Sequence, residues 1–298
     1  MKTKASVTSE AAPANDGQKK QIVRMLQDAV PLMVERADMS FDGAQRVIDD
    51  STEMLNAHRD AVRALLVTHA VTNKFANEEV RSSYTYPNGY KVKGITEQTN
   101  ILRDLFPGVG NALEKIAEQP LPSNAEGWFA IPKWQTMAAT YNEAVLAVLA
   151  MIASKREFYN YREGVLGADY LRQHARTAEM LQMLGDEQKD HDILVVPAQF
   201  GLRHRGRSVR RAREVFTASE FGLGAFAVGI MLLTHPEREV EREQLHVDCA
   251  GDEYAPGAAG RFSEAPLFSF YDGRAEFNAC RVDSADEHYG SASGFLPQ

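Results

Sequence analysis

Apolar residues in the first half of the chain recur at helical spacing. Ile22, Met25, Leu26 and Ala29 mark one face of a helix that begins near Gln18 and is interrupted by Pro31. A stronger helix is predicted after Asp42, an N-cap with Gln45 three residues on. Its stripe runs through Val47, Ile48, Leu55, Val62, Leu65 and Leu66 to about Phe75. His58 and His69 share that stripe, but three turns separate them, about 16 Å of helical rise. They read as core histidines rather than as two ligands of one ion. Further helices are predicted at 97–105, 109–118, 136–161 and 168–184, the last ended by Gly185. Residues 225–233 hold no hydrogen-bonding side chain and read as a buried helix.

The period changes elsewhere. Ile193-Leu194-Val195-Val196 is a short buried-type run closed by Pro197, and Leu245, Val247 and Cys249 alternate with His246 and Asp248. Two hairpins are predicted. One turns at Asn88-Gly89, with Tyr84, Tyr86 and Tyr90 paired across its arms; beside Lys91 and Lys93 these rings could also form a stacking platform for bases. The other turns at Asp272-Gly273 and sets Phe268 opposite Phe277 and Ser269 opposite Glu276. Charge alternates over 237–243, which reads as a solvated connector. Gly290-Ser291-Ala292-Ser293-Gly294 has alanine where a nucleophile elbow needs serine, and reads as a flexible tail.

Together these elements predict an α+β, mostly helical protein. A disordered leader at 1–17 precedes a helical body at 18–236 with one β-hairpin and a possible sub-boundary in the Pro-rich loop 119–133. A small β-containing segment, 237–298, packs on that body. Trp128 and Trp134 anchor the end of the loop.

Charge sharpens this picture. The formal net charge is −8, and residues 237–298 carry all of it, with 13 acidic and 5 basic side chains. An acidic chain is a poor general coat for nucleic acid, whose non-specific binding needs phosphate neutralisation. Two cysteines, Cys249 and Cys280, make no disulfide framework. The apolar run 221–234 is shorter than the roughly 20 residues of a membrane span. A cytoplasmic protein without membrane partners or cofactors is expected, and no GxGxxG or GxxxxGK[ST] loop is present.

Against that acidic background stand six arginines, Arg203, Arg205, Arg207, Arg210, Arg211 and Arg213, with His204 among them. No carboxylate interrupts the run from Ile193 until Glu214. Ser208 offers an N-cap, and Val209, Ala212, Val215 and Phe216 form an apolar stripe. Cations at a helix start oppose its dipole. Left free they would seek anions, and guanidinium forks suit phosphate. The expected function is therefore a binding protein that engages nucleic acid or a phosphorylated ligand through this loop and helix. Two alternatives stay open. The arginines are paired internally, with the acidic C-terminal segment as the expected partner, in a structural or partner-binding protein. Or His246, Asp248, Asp252 and Glu253 converge in a metal-assisted hydrolase, imidazole plus carboxylates suiting Zn²⁺ or Mn²⁺. His288, near Asp283, Asp286 and Glu287, could join them only by tertiary approach.

Overall fold

The structure, a computed structural model, describes residues 20, 21, 24, 40, 45, 73–258 and 260–297. The chain divides into two compact units, Met1–Lys74 and Phe75–Gln298. In the first, Lys20, Gln21, Arg24 and Gln45 are helical. The remainder of the two helices expected before residue 75, with His58, His69 and the leader 1–17, lies outside the described residues.

The second unit is α+β and not mostly helical, which corrects the balance expected from the sequence. Its α-helices are α1 (Ile95–Leu105), α2 (Tyr141–Lys155), α3 (Ala175–Glu187), α4 (Val209–Val215) and α5 (Ala225–Thr234). Its strands are β1 (Gly127–Pro132), β2 (Phe158–Asn160), β3 (Leu171–Gln173), β4 (Ile193–Gln199), β5 (Glu220–Gly222), β6 (His246–Asp248), β7 (Asp252–Tyr254), β8 (Glu264–Tyr271), β9 (Arg274–Arg281), β10 (Tyr289–Ser291) and β11 (Ser293–Phe295). They form a four-stranded sheet, β1-β4-β11-β5, and a seven-stranded sheet in which β8 lies between β9 on one side and β6 and β7 on the other. Most strands have only three residues, too few to display a period of two, and were hidden inside the helices and loops expected from the sequence.

Several local expectations change accordingly. The helix expected over 136–161 is confined to α2, because Thr140 and Glu143 cap it reciprocally and Arg156 leaves it in extended conformation. The 168–184 helix starts only at Ala175, behind β3, and runs through Gly185. Of the 109–118 helix, only the 3-10 turn Glu114–Glu118 forms. Residues 84–93 make a turn at Gly89 but no hairpin. Thr85 bridges Gln244, and the Tyr86 and Tyr90 rings meet edge to face, 5.4 Å apart. The loop 119–133 contains β1, which pairs with β4 inside this unit. The connector 237–243 is not solvated throughout, since Arg238 is fully buried with its guanidinium 3.8 Å from the Tyr86 ring.

The largest change is the tail. Gly290–Gly294 is buried, and β10 and β11 deliver consecutive segments to the two different sheets. Small residues there permit close approach: a Cβ on Gly290 would lie 2.3 Å from the Gly201 carbonyl oxygen. The core sits between the sheets and helices. All ten residues of α5 are buried against α2, where a Cβ on Gly229 would meet a Val148 methyl at 2.5 Å.

Candidate functional site

The arginine run folds as expected locally. Leu202–His204 form a 3-10 turn, and the Ser208 hydroxyl caps α4 by accepting from the Arg211 N–H at 3.1 Å. Its guanidinium charge, however, is not left free. Arg210 grips the Glu78 carboxylate with two nitrogens and lies 4.3 Å over the Phe75 ring. Arg211 bonds Glu79 at 2.5 Å and Glu214 at 2.9 Å, and Arg207 reaches Glu79 at 3.3 Å. Arg203 donates to Glu220 at 3.1 Å. Arg213 donates to the Ala250 and Asp252 carbonyls at 2.9 and 2.6 Å. Arg205 is exposed and donates to the Tyr84 carbonyl at 3.1 Å. The carboxylate partners lie mainly upstream, at Glu78 and Glu79, or nearby at Glu214 and Glu220. The acidic C-terminal segment contributes Asp283, 4.0 Å from Arg210.

His204 and Glu220, both fully buried, sit at the centre of this network. Arg207 donates to His204 Nδ1 at 3.1 Å, and a guanidinium has no acceptor. The imidazole is therefore neutral with its proton on Nε2, which it donates to Glu220 at 2.7 Å. Burial, which lowers the His204 pKa, acts in the same direction. For Glu220 burial alone would raise the pKa. Hydrogen bonds from His204 and Ser293 and the Arg203 charge prevail and hold it at about 2.

The four residues considered for a metal do not converge. His246 Nδ1 pairs with Glu239 at 2.9 Å, and Glu253 pairs with Arg172 at 2.8 Å. Asp252 faces α5, where its oxygens accept from the Tyr141 hydroxyl at 2.8 Å and the Ala225 N–H at 2.7 Å. Among the described residues no group of three or more His, Cys, Asp or Glu could hold a metal ion. His288 lies elsewhere, accepting or donating at Tyr84 (2.7 Å) and Asp286 (2.9 Å).

Asp248 is different. The registers of β6, β8, β9 and β10 place Asp248, Leu267, Ser269, Tyr271, Glu276, Asn278 and Tyr289 on one face of the seven-stranded sheet, away from Val247, Phe268 and Phe277. Helix α4 covers one end of that face, where Val209 and Ala212 pack with Ala265 and Val282. Beside it the loop after β9, with Ser284 and Asp286, closes a cavity of about 240 Å³ lined by Asp248. Asp248 is 8% exposed, and no hydrogen bond reaches its carboxylate among the described residues. Burial, reinforced by Asp286 and only partly offset by Arg213, pushes its pKa up to about 7. Two further polar atoms on these strands, His246 Nε2 and Ser291 Oγ, are buried without partners. Tyr271 and Tyr289 flank the His246 ring at 4.9 and 5.2 Å.

Asp248 was picked out in the sequence for its strand face, with a different role in view. The walls of its cavity were not, since they come from strands 20 to 40 residues downstream. The alternation of Ser269 and Tyr271 with Phe268 and Phe270 was the one signal of a polar outer face. No protein-family model, curated protein or solved structure matches this chain.

Proposed function

We propose that the protein binds a small polar ligand in the cavity on the outer face of the seven-stranded sheet. Asp248 is the group the ligand satisfies. One observation carries this reading: a buried carboxyl with no hydrogen bond, facing an open volume. Buried polar groups in folded proteins are almost always paired, and the exceptions concentrate where a protein acts. Asp252, which is fully buried, has three bonds. The contrast separates a structural acid from one that waits for a partner.

The arginine run supports the internal-pairing alternative better than a phosphate site. An incoming phosphate would have to displace Glu78, Glu79, Glu214 or Glu220 from bonds already made. On this reading α4 is a clamp that fixes one wall of the cavity. Among the described residues no helix is long and apolar enough to cross a membrane.

The test is a ligand-observed NMR screen of small acids, alcohols, amides and amines. Hits should compete for one site and disappear when Ser284→Trp fills the cavity. A screen in which every hit survives that substitution removes the cavity from consideration.

A further inference from the structure

The charges around the cavity select among ligands. Three lining side chains are acidic, Asp248, Glu276 and Asp286, and one, Arg281, is basic. The guanidinium of Arg281 turns outward, is 72% exposed, and bonds Asp283 at 2.9 and 2.7 Å. Glu276 is held by Arg274 at 3.1 Å and Asp286 by His288 at 2.9 Å. Arg213 is the nearest interior cation to Asp248, but its donors go to backbone carbonyls. Among the described residues Asp248 thus lacks a counter-ion, while Glu276 is paired with Arg274 and Asp286 is hydrogen-bonded to His288.

An anionic ligand would add a like charge to this set, at a site with little water to screen it. A divalent metal would need several oxygen ligands, and the described residues offer no such group. The volume of about 240 Å³ equals roughly eight waters at about 30 Å³ each, enough for a molecule of fewer than about ten non-hydrogen atoms.

From this, and resting on the cavity reading above, we infer that the ligand is a small organic cation, a primary ammonium whose charge pairs with the Asp248 carboxylate. No divalent ion and no phosphate is required.

The experiment compares three probes of one shape, n-propylamine, 1-propanol and propionate, by saturation-transfer NMR on the full chain at pH 8. Propylamine should bind saturably and compete with the screen hits, and Asp248→Asn should weaken it at least tenfold. Propionate should not bind. Should that variant fail to fold, a ¹³C-carboxyl titration of the wild-type protein replaces it, in which saturating propylamine must lower the Asp248 midpoint by about one pH unit. The titratable groups facing Asp248 are Asp286, Glu276, His246, Tyr271 and Tyr289, with Arg213 and Arg281 as fixed charges. If propanol or propionate binds as well as the amine and depends on Asp248, the ammonium assignment falls and the cavity reading stands. If no probe and no screen hit depends on Asp248 or Ser284, both fall.

Discussion

Replacing Asp248 by asparagine should make the protein more stable above neutrality, and the structure sets the size of the effect. The carboxyl is raised from 3.8 to about 7, about three pH units. A group whose folded pKa lies above its unfolded value gives stability that is complete below the unfolded pKa and lost as pH rises through the folded one. At about 1.4 kcal/mol per unit, ionising Asp248 in place costs about 4 kcal/mol by pH 8. Asparagine removes that charge in nearly the same shape. Its amide still lacks partners at a buried site, which returns about 1 to 2 kcal/mol. The expected net effect is a gain of about 2 to 3 kcal/mol at pH 8.5 and a loss of about 1 to 2 kcal/mol at pH 4. Urea unfolding of both proteins at half-unit pH steps measures this directly, since midpoint and slope report stability and exposed surface separately. A difference that is flat with pH, or a variant weaker at pH 8.5, would refute the claim that Asp248 is an unpaired buried acid. Asp252→Asn is the control. Its folded pKa is also near 7, but its oxygens serve Tyr141 and the first turn of α5, so at pH 4, where both acids are neutral in the folded protein, that substitution should destabilise by about 1 to 2 kcal/mol more than Asp248→Asn.

Other consequences can be checked alongside. Glu220, depressed to about 2 from 4.5, contributes stability that is complete above pH 4.5 and lost as pH falls toward 2. Glu220→Gln should erase roughly 3 kcal/mol of acid-dependent stability, read as a flatter unfolding profile between pH 5 and 2. Arg210→Ala should lower stability by about 1 to 2 kcal/mol, because Glu78 is buried and among the described residues keeps only Ser208 as a side-chain donor. The same substitution should leave the salt dependence of oligonucleotide binding unchanged, whereas a slope reduced by about one unit would restore a phosphate contact. Gly229→Ala forces a methyl against Val148 and should cost about 1 to 3 kcal/mol in thermal unfolding.

What could be read from the sequence follows from the range of the interaction. The β8–β9 register, with Phe268 against Phe277 and Ser269 against Glu276, is as the Asp272-Gly273 turn predicts, because turn chemistry is local. The Ser208 cap and the buried character of α5 are local too. The upstream arginine partners were invisible, since Glu78 and Glu79 lie about 130 residues before Arg210 and Arg211. A charge run looks free in a sequence whenever its counter-ions arrive from far away. The Gly290–Gly294 segment misled for a different reason. Small residues signal flexibility in solvent, but between two sheets they signal a lack of room. The Asp248 cavity was half legible: the acid stands on an alternating strand, while its emptiness depends on four strands and a loop meeting.

Passing from one sheet into the other, the last strands also set an order of assembly. Gln199 on β4 meets Ser293 on β11 across 94 residues of chain. During vectorial synthesis β4 and β5 must therefore wait with an open edge until the closing strand emerges. An exposed strand edge invites pairing with other chains, and loop closure over such a distance slows folding. Shortening the chain before Tyr289 would hold the protein permanently at that stage, with both sheets incomplete and association with other copies the expected result.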